Sequence, residues 1–502
     1  MKAMEHDRAS LKQKAISGIF WKLLENGGTT AITFVTTTIL ARLLDPSHYA
    51  VLSVTVIFVA ISAVFVQRGF SLSLVQKIDA DDTDFSTVFY FTLGVSGALY
   101  AILWFAAPLI AGFYQEPQVR QVLRVMALIL FPCAVSSLQY AIIMREFAFR
   151  KRFMVSLIST VLSGSVGIYL AVTGHGVWAL VARQLIDDFT MCIGLSIATR
   201  WRPKALFSFA RLKSLLAFGW KLLASSLLET VYGDLSSLII GKRFNTTTLA
   251  YYDKGRRFPM NITTTLTGAI QAAMFPSFAD AQRDRERLLA MVRRCLSVSA
   301  FLIAPMMAGL AATSTPLVRM VLLEKWLPSV PFLMVFCLTY ALYPVDASVT
   351  QSITALGRSD IYLKLEIAKK LTGLGFICLA VFCFDTPLAL AWALAATAVV
   401  GLLYNAVPIK RLVGYGYVQQ LKDLLPSLAL SAIMGIAVYF VTWLKLGDAL
   451  TLVIQVLLGA GVYAGLGWLF RMKSMRYVLD TILEIKRKKA AQKAARSEGT
   501  AK

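Results

Sequence analysis

The chain has 502 residues, 57% of them apolar and only 16% charged, with a mean hydropathy of +0.65 and a net charge of +23. Soluble domains carry roughly a quarter charged residues, so this composition describes a membrane protein. The longest stretch able to fold outside lipid is the tail from about Met472 to Lys502, which leaves no room for a soluble catalytic domain of about 100 residues.

Uncharged runs long enough to cross roughly 30 Å of hydrocarbon, about 20 residues each, recur along the whole chain. The plainest are Phe85–Gln115, Val125–Met144, Cys295–Val318, Leu424–Leu444 and Ala449–Phe470. None alternates in polarity as a barrel strand does, so all read as helices. With the more polar segments included, about fourteen spans are expected, near 15–41, 46–68, 85–112, 120–143, 153–173, 176–199, 214–241, 249–276, 290–312, 328–356, 360–383, 386–409, 421–444 and 449–471. The first is too long and too polar for a signal-peptide core and no small-residue cleavage site follows it, so it reads as an uncleaved anchor.

Two of these spans open alike. Ile19-Phe20-Trp21-Lys22-Leu23-Leu24 begins the first, and Phe218-Gly219-Trp220-Lys221-Leu222-Leu223 begins the seventh, 199 residues later. The expected fold is an all-α polytopic membrane protein with two six-helix bundles in parallel repeat and two further helices. The expected division is an N-terminal bundle over 1–199, a basic cytoplasmic linker over 200–213, a second bundle over 214–409, two additional helices over 410–471 and a basic cytoplasmic tail over 472–502. Such repeats are an architecture of secondary transporters, in which two bundles rock around a central site.

Placing both termini on one side sorts 35 Lys and Arg to that side and 7 to the other, with 9 of the 51 inside spans. Positive residues are retained in the cytoplasm, so both termini are expected there. Much of the net charge is then topogenic, and no nucleic-acid partner is expected. The run Lys486-Arg487-Lys488-Lys489 is also suited to anionic membrane lipids. Six cysteines without a CxxC pair, and three histidines, suggest neither a disulfide framework nor a metal site.

The chemistry-bearing residues are polar stripes inside spans. At 100° per residue, Lys22, Glu25, Thr29, Thr33 and Thr36 share one face of the first helix. Lys221, Ser225, Glu229, Tyr232 and Ser236 share one face of the seventh, and the eighth adds Asp253, Arg257, Asn261 and Thr264, with Lys254 at the margin. Charges at membrane depth cost at least about 2.5–3.5 kcal/mol each and mark either a pathway or an internal pair. Lys22 with Glu25, and Asp253 with Arg257, are spaced to neutralise each other along a helix. As a pathway, Lys22, Lys221, Lys254, Arg257 and Asn261 suit an anionic, hydroxyl-rich substrate, while Glu25, Glu229 and Asp253 are candidates for coupling to H+ or Na+. Arg183 with Asp187, and Glu366 with Lys370, read as structural pairs. Nothing in the pattern suggests a catalytic set.

Short motifs then fall into a known order. Leu40-Ala41-Arg42-Leu43-Leu44-Asp45-Pro46, Phe113-Tyr114 with Pro117, Phe207-Ser208-Phe209, Ala250-Tyr251-Tyr252-Asp253-Lys254-Gly255-Arg256, Phe275-Pro276-Ser277-Phe278-Ala279 and Glu324-Lys325-Trp326 lie along residues 14–445. In order and spacing the chain resembles bacterial oligosaccharide flippases of the multidrug/oligosaccharidyl-lipid/polysaccharide exporter superfamily. It departs from many of them at Gln67-Arg68-Gly69, where an acidic residue is usual. The resemblance implies alternating access in the bacterial cytoplasmic membrane, with helices 1, 2, 7 and 8 lining a cavity for an undecaprenyl-pyrophosphate-linked oligosaccharide. Implied partners are that substrate, membrane lipids, and the polysaccharide polymerase and chain-length machinery. The two C-terminal helices either form a groove for the polyprenyl tail or pad the bundle against lipid. A small-molecule antiporter of the same superfamily is the nearest rival. A polysaccharide polymerase or ligase would need a large outer loop, and the longest, about Thr313–Leu327, offers only Arg319, Glu324 and Lys325.

Overall fold

The computed structural model describes residues 21, 24–25, 27–67, 73–75, 77, 79–280, 284–356, 358–444, 446–472 and 474–477. Lys22, Arg68 and the Lys486–Lys489 run lie outside them. The long helices, in chain order, are α1 (27–43), α2 (Pro46–Gln67), α3 (Asp82–Tyr114), α4 (Gln118–Glu146), α5 (Phe149–Val172), α6 (Val177–Thr199) and α7 (Phe209–Arg243). They continue as α8 (Thr246–Asp280), α9 (Arg285–Ala312), α10 (Val330–Ala355), α11 (Ser359–Cys383), α12 (Pro387–Val413), α13 (Tyr417–Phe440) and α14 (Asp448–Leu469). No strand occurs among the described residues.

Nine of these are long and apolar enough to cross a bilayer, with α10 taken together with the turn before it, and a tenth if the two arms of α7, which meet at 52°, are one span. The chain is a multi-pass, all-α membrane protein. Three of the helices that miss this threshold carry charges in the middle of their length rather than only near an end. Helix α6 carries Arg183, Asp187 and Asp188; α8 carries Asp253, Lys254, Arg256 and Arg257; and α11 carries Asp360, Lys364, Glu366, Lys369 and Lys370. Helix α1 is described without a break only from residue 27. The segment expected to be a loop at Thr313–Leu327 is helical instead, as Ser314–Leu322 followed by a 3-10 turn over Glu324–Ser329. Its apolar residues fold it inward: Trp326 is fully buried, and Arg319 reaches Asp448 at 3.2 Å.

The chain forms two compact units, Met1–Asp253 and Lys254–Lys502. In the first, α5 and α6 pair closely, and α7 packs along α2 and α3. Small residues on α5 permit close approach on two sides: a Cβ on Gly167 would meet Arg183 Cβ of α6 at 2.9 Å, and one on Gly164 would meet Thr36 Oγ1 of α1 at 2.8 Å. The segment 200–213 is strapped across the start of α3. Lys204 N–H donates to Ser86 Oγ (3.0 Å), Ser208 N–H donates to Thr87 Oγ1 (3.1 Å), and Trp201 packs on Phe85 and Phe89. Fully buried Asp84 takes Lys77 Nζ on both oxygens, at 2.7 and 2.6 Å, and Lys204 pairs with Asp82 at 2.5 Å. The capping N–H of Asp84 and the Arg211 guanidinium hold the Asp81 carboxyl down at about 2. Lys204 and Arg211, two of the five basic residues of this segment, are therefore engaged by acids of the α3 start.

In the second unit, α9 packs between α10 and α13, and α11 packs on α12. Val292, Leu296, Val345, Val349, Ile353, Ile409 and Tyr415 form its core. Arg293 grips Asp423 with two bonds of 2.8 Å, and the buried Tyr415 hydroxyl donates to the same carboxylate at 2.8 Å. Burial and that carboxylate push the Tyr415 phenol above its ordinary value. Helix α14 is held by Gln455 donating to the Val438 carbonyl (3.1 Å) and by Tyr463 donating to the Phe301 carbonyl (2.9 Å). Its remaining face exposes Leu450, Val453, Val456, Leu457 and Trp468. Exposed apolar residues in a membrane helix face lipid, because hydrocarbon takes the place that a buried core offers in water.

Candidate functional site

Three polar stripes were expected, and the structure divides them. On α1, Thr29 Oγ1 donates to the Glu25 carbonyl (2.5 Å), Thr36 Oγ1 to the Ile32 carbonyl (2.9 Å) and Thr37 Oγ1 to the Thr33 carbonyl (2.7 Å). These hydroxyls are satisfied by their own helix, so a threonine stripe does not by itself require water. Lys22 lies outside the described residues. Glu25 is buried, and its carboxylate meets Arg152 Nε of α5 at 2.9 Å. The Arg152 guanidinium also lies 3.9 Å over the Tyr140 ring of α4. Arg152, counted above only among the positive charges of one side, is thus a structural partner four helices along the chain from where i,i+3 spacing would have sought one.

On α7 the stripe changes character along its length. Ser236 is buried and Tyr232 half-buried, while Lys221, Ser225 and Glu229 are exposed, and among the described residues Lys221 and Glu229 make no ion pair. Their i, i+4, i+8 spacing keeps these three on one face. At the start of α8, Asp253 accepts from Ser237 Oγ at 3.2 Å.

In the second unit, Lys254 stands with its Nζ 5.1 Å over the ring of buried Trp326, a cation–π arrangement. Gly255 explains this placement: a Cβ there would meet Ser329 O, Leu333 N and Phe332 Cβ, each at 2.9 Å, so only glycine lets α8 close on the start of α10. Two motifs far apart in sequence, Lys254-Gly255 and Trp326, are one contact in space. Arg257, Asn261 and Thr264 follow on α8 and are exposed, with Thr264 Oγ1 bonded back to the Met260 carbonyl at 2.8 Å. Arg257 makes no ion pair among the described residues. A guanidinium, an ammonium and an amide on one helix face are matched to phosphate and hydroxyl groups.

The structure also reveals polar groups that the stripes do not include. Asp187 Oδ1 accepts from Ser159 (2.6 Å) and Ser163 (3.2 Å) of α5. In the second unit, Asp346 of α10, Glu366 and Lys369 of α11 and Asn405 of α12 converge, and it is Lys369, not Lys370, that holds Glu366, at 3.1 Å. The sequence signal was present but faint: Asp346 and Asn405 are isolated polar residues inside otherwise apolar spans, where lipid tolerates none without a partner.

Residues 39–331, more than half of the chain, match the profile of a family described as polysaccharide biosynthesis protein. The chain belongs to this polysaccharide biosynthesis family. Among characterised relatives it is 24% identical over 408 residues to the succinoglycan biosynthesis transport protein ExoT of Rhizobium meliloti (strain 1021), covering 81% of this chain and 80% of that one. It is 24% identical over 366 residues to the lipopolysaccharide biosynthesis protein WzxC of Escherichia coli (strain K12), covering 72% and 74%. Among solved structures it resembles the lipid II flippase MurJ in an inward closed conformation, with a TM-score of 0.73 at 17% identity over 90% of this chain and 98% of that one. A multidrug resistance MATE transporter in an inward-facing conformation follows with a TM-score of 0.60 at 16% identity over 76% and 95%. At these identities the likeness to MurJ and MATE shows that this chain shares their fold.

Proposed function

We propose that this protein is a flippase that moves polyprenyl-pyrophosphate-linked oligosaccharide units across the bacterial cytoplasmic membrane by alternating access, for cell-surface polysaccharide assembly. The observation that carries this reading is the family match together with a relative named as a succinoglycan transport protein over four fifths of both chains. The chemistry of the exposed stripes supports it. Lys221 on α7, with Lys254, Arg257 and Asn261 on α8, offers charge to a pyrophosphate and hydrogen bonds to sugar hydroxyls. Lys22 belongs to the same proposed set by its place in the repeat. Glu229, exposed on the Lys221 stripe, and Asp253 are the proposed coupling carboxylates; Glu25 is already neutralised by Arg152. The delivered unit passes to polysaccharide polymerase and chain-length machinery.

A deletion strain is expected to accumulate the lipid-linked unit on the cytoplasmic side, measured by mass spectrometry of extracted lipids with and without access by an external glycosidase. An unchanged lipid-linked pool overturns the reading, and accumulation of a small amphiphile instead favours an antiporter of the same fold.

The 35-to-7 division of positive charge supports a cytoplasmic position for both termini and the 200–213 segment. In a variant without the six native cysteines, Lys204→Cys is expected to resist an impermeant thiol reagent in intact cells and to react after permeabilisation. Labelling of intact cells reverses the assigned orientation.

A further inference from the structure

Helices α12 and α13 are joined by the turn Gly414-Tyr415-Gly416, and since both helices are long and apolar enough to cross a bilayer, the turn lies at a membrane surface. Gly414 adopts a φ of +87°, which favours glycine, and the chain reverses there over the buried Tyr415. Different neighbours then draw the two helices apart: α12 packs on α10 and α11, whereas α13 packs along α9. A cleft of about 460 Å³ opens between their ends. Leu403 and Val407 form its wall on α12, and Tyr417 and Val418 begin its wall on α13, all four of them exposed. Both walls continue into the bilayer as apolar strips, through Val399 at i−4 from Leu403, and through Leu421 and Leu425 at i+4 and i+8 from Tyr417. From Val399 to Lys410 a helix rises about 16 Å, half of a hydrocarbon core of roughly 30 Å and so the depth of one leaflet.

The mouth of the cleft is basic. Lys410 lines it, with its Cδ 3.8 Å from where a Cβ on Gly416 would stand, and Arg285 at the start of α9 brings Nη2 to 3.5 Å from the corresponding position on Gly414. Lys422 lies one turn past Val418 on the same face of α13. None of these three makes an ion pair among the described residues. The nearby acids are otherwise engaged: Asp423 is held by Arg293 and the Tyr415 hydroxyl, and Asp284 accepts from the Arg287 N–H of its own helix. Retention of positive residues on one side of the membrane accounts for the presence of these cations but not for their convergence on a cleft. An apolar wall one leaflet deep that ends in positive charge is the complement of an anionic amphiphile with a chain of that length. We propose that this cleft holds one anionic glycerophospholipid, with its phosphate at Lys410 and Arg285 and an acyl chain along Leu403 and Val407. The depth of the wall matches an acyl chain, whereas a longer polyprenyl chain would have to cross the midplane or fold back.

This assignment requires only that α12 and α13 span a bilayer, and its test reads lipid retention instead of export, so it stands or falls apart from the carried substrate. The full chain, purified in a non-ionic detergent and freed of lipid, is titrated with phosphatidylglycerol or with phosphatidylcholine of the same acyl chains, and bound lipid is counted by native mass spectrometry. The parent is expected to retain one phosphatidylglycerol at concentrations where phosphatidylcholine is lost. A basic residue beside anionic headgroups contributes about fivefold in affinity, so Arg285→Gln/Lys410→Gln should weaken that retention about 25-fold and erase the preference between the two lipids. Val407→Trp, which fills the apolar wall and leaves every charge in place, should weaken it as well, and it supplies the test where the charge variant fails to fold. Inorganic phosphate at the same concentration should leave the lipid bound. Equal retention of the two lipids by the parent, or unchanged retention in the folded variants, overturns the proposal. Displacement by inorganic phosphate overturns it in favour of a simple anion site, and preferential displacement by a polyprenyl phosphate overturns it in favour of the carried lipid.

Discussion

The Lys254→Gln/Arg257→Gln double variant is expected to reach the membrane in the parent's amount and to export essentially nothing. Charge-assisted hydrogen bonds contribute about 1.5–3 kcal/mol each, so losing two weakens a pyrophosphate interaction by about 3–6 kcal/mol, or roughly two to four powers of ten. Arg257→Gln alone should cost about the square root of that, because the remaining ammonium still attracts the diphosphate. Lys254→Gln should add a small stability loss, since Lys254 also lies over Trp326. Export is read as surface polysaccharide in a complemented deletion strain, and folding as a monodisperse peak of the purified variant. Normal export by the double variant removes this face of α8 from the proposed site. Loss of the folded peak assigns both residues to packing.

A second large effect is expected at Arg152. Its removal strands the Glu25 carboxylate, whose side chain is only 6% exposed, and breaking a buried pair from one side costs about 3–5 kcal/mol. Arg152→Gln should therefore yield little folded protein. Glu25→Gln should be milder, because Arg152 is 21% exposed and retains the Tyr140 ring. Combining the two changes removes both charges and should recover much of the loss. Recovery of the thermal midpoint in the double variant, measured against each single, reads the pair directly. A stable Arg152→Gln protein would show that Glu25 is comfortable without this arginine.

How much of this was legible beforehand follows from what each feature depends on. Membrane residence, helical class and helix placement follow from local composition, because a bilayer imposes one length and one polarity on whatever crosses it. Helix α2, expected near 46–68, is Pro46–Gln67, and α14, expected near 449–471, is Asp448–Leu469. The ends near charge were less legible: α7, expected from 214, starts at Phe209, since Leu212 and Leu215 are buried against Phe85, Val88 and Leu138 and so hold an extra turn in place.

Pairing was the part that sequence could not supply. Spacing along one helix suggested Glu366 with Lys370, yet it is Lys369 that turns toward Glu366, since the same ammonium also reaches Asp346 on a neighbouring helix. Glu25 likewise has its arginine 127 positions away, on α5. Local periodicity says which residues share a face, and only packing says what that face meets. The sequence by itself determined that this protein is a helical membrane protein of a transporter-like repeat pattern, with charges at membrane depth that demand partners. The tertiary structure decided which charges are already answered, at Glu25, Asp84 and Asp423, and which polar side chains stay exposed on α7 in the first unit and on α8 in the second, because an ion pair is settled by distances between helices that no single helix contains.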